Sequence, residues 1–262
     1  GLAALTRPSG QYGLFAIAAG LIFAGFYQLW RLRVGKILIG AIVVVCAYTA
    51  TISPWFWRNH IEFGRPFLTK GYASFILVER IAYNEMTWRE FGISFLYWLP
   101  WPGEPLAKKL FSESDYRRLS FDAHDSFYVV GTTKRKQALR ERFAKEADRM
   151  HHLLHEGIIG DLGKHTLVSV ALAYRGIWIV KYWTLLAVPA LLYLLYGGIF
   201  RGRDPDFLVF SLPGIFMLGL HAFVSVNVHR YNIILMPCLA LASGWFVLKV
   251  WEWLHSNYRA TT

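Results

Sequence analysis

The sequence predicts an all-α fold: a polytopic membrane helix bundle of about five transmembrane helices, carrying a mostly helical extracytoplasmic insertion. Three observations predict it. Of 262 residues, 55% are hydrophobic, 17% aromatic and only 17% charged, with a mean hydropathy of +0.33. This balance excludes a disordered chain, a coiled coil and a small disulfide-rich domain. Five segments free of Lys, Arg, Asp and Glu approach the roughly 20 residues needed to cross about 30 Å of hydrocarbon. Most of the charge of both signs is confined to one stretch, 58–175. The chain accordingly divides into residues 1–57 (two spans), 58–177 (the insertion) and 178–262 (three spans and a C-terminal tail).

The five expected spans are 12–30, 37–55, 182–200, 207–226 and 232–248. Aromatic residues mark their ends, as expected of a belt at the lipid–water boundary: Tyr27 and Trp30, Trp55 and Trp57, Trp178, Tyr182 and Trp183, Trp251 and Trp253. Lys249 can snorkel from the end of the fifth. Pro189, Pro213 and Pro237 interrupt the last three; such breaks survive in lipid where neighbouring helices or water satisfy the freed carbonyls. Arg31, Arg33 and Lys36 join the first two spans, and Arg201 and Arg203 join the third and fourth, whereas the opposite side carries only Arg7 and Arg230 outside the insertion. Short loops rich in Lys and Arg face the cytoplasm. The expected arrangement is an integral protein of the cell inner or plasma membrane, with the long insertion extracytoplasmic. Cys46 and Cys238 lie in apolar runs and read as small packed residues. The chain opens on Gly1 inside what reads as the tail of an apolar helix, so part of the protein is expected upstream.

The insertion is too long to be an unstructured connection. Over 72–88, Phe75, Val78, Ala82 and Met86 recur at helical spacing, with Glu79, Arg80 and Glu85 assigned to the opposite, polar face. The aromatic stretch 91–101 is too short to span and reads as interfacial or re-entrant. Over 134–156, Leu139, Phe143, Ala147, Met150 and Leu154 form one stripe of a soluble amphipathic helix. Residues 162–179 read as a helix along the membrane surface leading into the third span.

Four constellations could carry chemistry. Arg7, Arg58 and the His229–Arg230–Tyr231 turn all fall at expected outer ends of spans, where cationic side chains meet lipid head groups. A phosphate calls for charge-assisted donors, which arginine supplies as a fixed fork and to which the Tyr231 hydroxyl can add. The alternative is ordinary anchoring of helix ends at the interface. Asp148, His152 and His155, or His151 and His155, share a helix face and so have zinc-ligand spacing. Further ligands are lacking apart from Asp122, His124 and Asp125, and a solvated helix face is the expected reading. His221 falls about one turn inside the fourth span, where an ionisable group is either functional or hydrogen-bonded to a neighbouring helix. Glu62, Glu79, Glu85, Glu90 and Glu104 are the carboxylates on the outer side, without a recognisable acid–base pair. Phosphate-binding glycine loops, serine or cysteine nucleophile motifs and nucleic-acid signatures are absent. The net charge of +11 reads as membrane orientation, with no nucleic-acid partner.

Three segments together resemble the membrane glycosyltransferases of the C superfamily that use polyprenyl- or dolichyl-phosphate sugars, closest to the protein O-mannosyltransferase-like and lipid A aminoarabinose transferase-like group. They are GLAALTRP (1–8), SPWFWRNHIEFGRPF (53–67) and HRYNIILMPCLALASG (229–244). The resemblance implies transfer of a sugar, usually with inversion, from a lipid-linked phosphate donor to a hydroxyl of a glycan, lipid or protein acceptor. It implies that Arg7, Arg58 and Arg230, with His229 and Tyr231, hold the donor phosphate. The family's catalytic acid lies in a first outer loop that nothing here matches, so the catalytic residue is expected upstream and the chain is expected to be a C-terminal portion. No cofactor is assigned, and a divalent metal has no motif behind it. Membrane lipid is the expected surrounding. The alternatives are a transporter, flippase or ligase-like protein handling lipid-linked sugars, or a non-catalytic scaffold.

Overall fold

A computed structural model describes residues 34–66, 73–203 and 205–261. Every element among the described residues is helical. They fall into two compact units, one drawn from 34–66, 179–203, 205–217 and 233–261, the other from 73–178 and Leu218–Asn232.

The first unit holds α1 (Val34–Phe63), which contains the expected span 37–55. The expected span 12–30 and Arg7 lie outside the described residues. Three helical runs are long and apolar enough to cross a membrane, by length and composition: Glu146–Arg201, Asp206–Val224 and His229–Ser256. Their apolar parts coincide with the expected spans 182–200, 207–226 and 232–248. They correspond to α10 (Thr184–Arg201), α11 (Pro205–Val224) and α12 (Met236–Thr261). The first run is not one straight helix, because Lys181 adopts φ 50° just before α10. Within the first unit small residues let helices approach closely, as expected where lipid offers no hydrophobic drive between helices. A side-chain carbon at Gly198 would sit 3.2 Å from Leu208, and one at Gly214 would sit 3.0 Å from the Leu235 backbone. Tyr193 of α10 stacks on Trp245 of α12 at 5.2 Å. Leu185, Leu192, Phe200, Leu241, Val247 and Leu248 stay exposed, an apolar surface of the kind lipid covers. This is the make-up of a membrane protein.

The second unit is built from α2 (Ala73–Ala82), α3 (Trp88–Tyr97), α4 (Gly103–Leu110), α5 (Glu113–Tyr116), α6 (Phe127–Val130), α7 (Lys136–Arg142), α8 (Glu146–His152) and α9 (Leu162–Ile177). Residues 218–232, the end of α11 and the turn after it, pack with them. One core gathers Tyr83, Met86, Ile93, Tyr97, Trp98, Leu119, Phe127, Val168, Leu172, Ala222 and Val226. A second gathers Leu77, Val78, Ile81, Leu139, Leu153 and Ile158.

Three expectations change here. The helix expected over 72–88 stops at Ala82 and passes through a 3₁₀ turn, Tyr83–Glu85. A new helix then starts behind Thr87, whose hydroxyl accepts the Glu90 amide while Glu90 accepts the Thr87 amide, satisfying two helix-end donors at once. On α2, Val78 and Ala82 are buried as expected, but Arg80, assigned to the polar face, is fully buried. The helix expected over 134–156 is broken: Phe143 takes an extended conformation (φ −131°, ψ 111°) between α7 and α8. The break resets the helical phase, so Leu153 and Ile158 are buried while Ala147 and Leu154 are exposed. The stretch 91–101 serves mainly as a core helix, with Ile93, Ser94, Tyr97 and Trp98 buried.

Candidate anion-binding site

The second unit contains two buried arginines, Arg80 and Arg175. A buried charge is costly unless paired or fully hydrogen-bonded. Neither forms an ion pair among the described residues, yet their surroundings differ.

Arg80 is saturated by neutral acceptors. Its Nε donates to the Ala222 carbonyl (2.8 Å), one terminal nitrogen to Asn84 Oδ1 (2.9 Å), and the other to the His165 carbonyl (2.9 Å) and Ser169 Oγ (2.8 Å). Burial, partly opposed by Tyr83, pulls its pKa down to about 9, so it remains a cation at neutral pH. Around it the donors and acceptors are internally consistent. Asn84 Nδ2 donates to the Gly157 carbonyl and to His165 Nδ1, which leaves His165 Nε2 protonated to donate to the Phe223 carbonyl at 2.9 Å. This network is a structural tie between α2, α9 and residues 222–223.

Arg175, on the last turn of α9, is held differently. Its guanidinium carbon lies 3.9 Å from the centroid of Phe121 and 4.9 Å from that of Trp98, and one terminal nitrogen donates to the Tyr83 hydroxyl at 3.2 Å. Two ring faces stabilise a cation electrostatically but offer no lone pairs to its remaining N–H groups.

The turn carrying the sequence-predicted cations is moored beside it. Asn227 sits in the left-handed region (φ 47°), which asparagine tolerates better than most residues. Its Nδ2 donates to the Leu172 carbonyl at 2.8 Å. Asn232 donates to the Gly176 carbonyl (3.1 Å) and to Asn227 Oδ1 (2.8 Å), and its own Oδ1 lies 3.2 Å from His221 Nδ1. A side-chain carbon at Gly176 would fall 2.5 Å from both asparagine amide nitrogens and push them off these bonds. These bonds fix the 3₁₀ turn His229–Leu235 against the end of α9. His229 and Arg230 are exposed and Tyr231 is half-buried. Arg230 reaches over the Tyr231 ring at 5.8 Å, and that ring lies 5.5 Å from His221.

The structure thus carries His229, Arg230 and Tyr231 on one turn, moored to the carbonyls of Leu172 and Gly176 on either side of Arg175 in the sequence. Arg58 belongs to the first unit, where it is exposed and lies over Trp55 at 5.1 Å. His221, expected one turn inside a span, is buried in the second unit, with Nε2 unpartnered. His151 stacks on His155 at 4.4 Å and His152 pairs with Glu156 at 3.1 Å. No group of three or more metal-ligating side chains is gathered among the described residues. Of the carboxylates, Glu85 pairs with Arg118 and Arg135, Glu90 is buried at its cap beside Arg118, and Glu104 pairs with Lys108. Arg175 is not among the expected site residues, although a signal is present: it is the lone Lys, Arg, Asp or Glu in 165–180, with no acid three or four residues away on either side.

No family model, curated protein or solved structure matches this chain.

Proposed function

We propose that this chain forms part of an integral-membrane glycosyltransferase, which moves a sugar from a polyprenyl-phosphate-linked donor to a hydroxyl acceptor at the extracytoplasmic face. The supporting observation is the His229–Tyr231 turn. Two buried asparagines hold it in place, and it carries an exposed arginine, a histidine and a phenol at the start of an apolar helix, where a lipid phosphate would reside. The likeness of the three segments 1–8, 53–67 and 229–244 to donor-handling transferases points the same way. In this reading about five spans cross the membrane, their positively charged short loops are cytoplasmic, and the second unit is extracytoplasmic.

The reaction breaks the bond between the anomeric carbon and the phosphate oxygen and forms one to the acceptor oxygen, whose proton passes to a base. Negative charge grows on the departing phosphate. Arg58 and Arg230, with Arg7, would neutralise it, and Tyr231 would donate a hydroxyl; donors aimed at developing charge are worth about 10²–10³ in rate apiece. The test is sugar transfer from a polyprenyl-phosphate-linked sugar by membranes carrying the wild type, Arg58→Ala or Arg230→Ala. Each substitution is expected to lower turnover at least about 100-fold at unchanged protein level. Unchanged turnover in both would overturn the reading.

A further inference from the structure

We infer that Arg175 is the contact for an anionic ligand group of the phosphate type, reached past Phe121. This rests on the transferase reading only for the identity of the lipid that would carry the phosphate; the anion site itself stands on the geometry of Arg175.

The argument is the contrast between the two buried arginines of one unit. Arg80 meets four neutral acceptors, an arrangement that satisfies the charge without any outside partner. Arg175 is almost as deeply placed, 4% exposed against 0%, but donates to the Tyr83 hydroxyl alone among the described residues. A guanidinium has five N–H donors in a planar fork, and ring faces accept none of them in the way an oxygen does. Carboxylates are not at hand: no ion pair reaches Arg175 among the described residues, and the other residues hold a single acid, Asp204. The buried side-chain atoms left without a partner among the described residues are Trp178 Nε1 and His221 Nε2, so the remaining N–H groups of Arg175 open to solvent, where a bidentate oxyanion can meet them.

Access and neighbours fit that occupant. Phe121, whose ring lies nearest the guanidinium, is 37% exposed, so the charge lies just beneath the surface. The turn moored to the Leu172 and Gly176 carbonyls, on either side of Arg175 in the same helix, presents the exposed His229 and Arg230. The site is therefore cationic and aromatic-walled, suited to a phosphate bearing an apolar substituent.

The test uses the whole chain in detergent micelles and three probes: farnesyl phosphate, farnesol and inorganic phosphate, with binding read by calorimetry. The wild type is expected to bind farnesyl phosphate at least 10-fold more tightly than farnesol. Competition by inorganic phosphate at similar concentration would identify a free oxyanion as the ligand, and its failure to compete would identify a lipid-borne one; either supports the site. Arg175→Gln should weaken farnesyl phosphate binding at least 30-fold, with Arg175→Lys in between. Should those variants not fold, Phe121→Glu keeps Arg175 and sets a competing carboxylate beside it, and is expected to abolish binding. Equal affinity for farnesol and farnesyl phosphate with no response to inorganic phosphate overturns the inference, as does wild-type affinity in a folded Arg175→Gln or Phe121→Glu protein. Phosphate binding lost in Arg175→Gln while turnover is unchanged in Arg58→Ala and Arg230→Ala would leave this inference standing and remove the transferase reading; wild-type phosphate binding in Arg175→Gln with turnover lost in those two variants would do the reverse.

Discussion

Arg80 Nε donates to the carbonyl of Ala222 at 2.8 Å, across 142 residues of sequence. That bond, with those to the His165 carbonyl and Ser169 Oγ, ties α2 to α9 and to the end of α11, so the second unit closes around a cation. Arg80→Ala leaves several buried acceptors without a donor, each worth about 1–3 kcal/mol. It is expected to lower the unfolding free energy by at least about 3 kcal/mol, whereas Arg80→Lys, retaining charge but not the fork, should lose less. Thermal unfolding of the purified variants in detergent, followed by near-UV circular dichroism, measures both.

Gly131 is where a π-helical turn crosses α2. A side-chain carbon there would lie 2.8 Å from Glu79 Cα, 3.2 Å from its carbonyl oxygen and 3.3 Å from Ala82 Cβ. Two of these are backbone atoms that cannot swing aside. Gly131→Ala is expected to cost about 1–3 kcal/mol. Gly92→Ala, in the middle of α3 with open space around it, should instead stabilise by about 0.5–1 kcal/mol. Melting temperatures of opposite sign relative to wild type are the expected pair of results.

Asn227 combines a backbone and a side-chain role. Asn227→Gly keeps access to φ 47° but loses the bonds to the Leu172 carbonyl and from Asn232, for an expected loss of about 1–3 kcal/mol. Asn227→Ala loses the same bonds and adds roughly 1–2 kcal/mol of left-handed strain. The alanine variant should therefore melt below the glycine one. Because the turn at His229–Tyr231 hangs on these bonds, both should also weaken any ligand held there, which titration of the folded fraction would show.

Glu79 supplies a pH dependence. Burial raises its carboxyl pKa above the ordinary 4.5, against the lowering pull of Lys136. The folded state therefore holds this proton more tightly than the unfolded one. The resulting stability is fully present below the unfolded pKa and is lost as pH rises through the folded one. Glu79→Gln removes the dependence, so its melting temperature relative to wild type is expected to rise between pH 4 and pH 7. A difference that falls would show that Lys136 dominates, and a constant one that the two effects cancel.

Much of the architecture was legible along the chain. A helix that faces lipid announces itself locally, since transfer of each side chain from water is nearly additive. The apolar stretches at 182–200 and 207–226 accordingly became α10 and α11 within a few residues, and 232–248 became the first part of α12, which runs on to Thr261. Of the stripe Phe75, Val78, Ala82 and Met86, the last three are buried and Phe75 is half-buried, with Met86 beyond the helix end at Ala82. The soluble-looking insertion was harder. Its expected helix over 134–156 gave way at Phe143, because burying Leu153 and Ile158 against Ile81 and Val78 required a different helical phase from the one local periodicity favoured.

The sequence by itself determined that this is an all-helical, largely apolar chain with its charge gathered in one insertion, and it singled out His229, Arg230 and Tyr231 as candidate ligand contacts. Only the tertiary structure decided that Arg80 and Arg175 are buried, that one is saturated and the other is not, and that Asn227 and Asn232 moor the cationic turn to the end of α9. Hydropathy reads each residue against its neighbours in the chain. Whether an arginine can leave water depends on carbonyls, hydroxyls and ring faces that only folding carries to it, some from more than a hundred residues away.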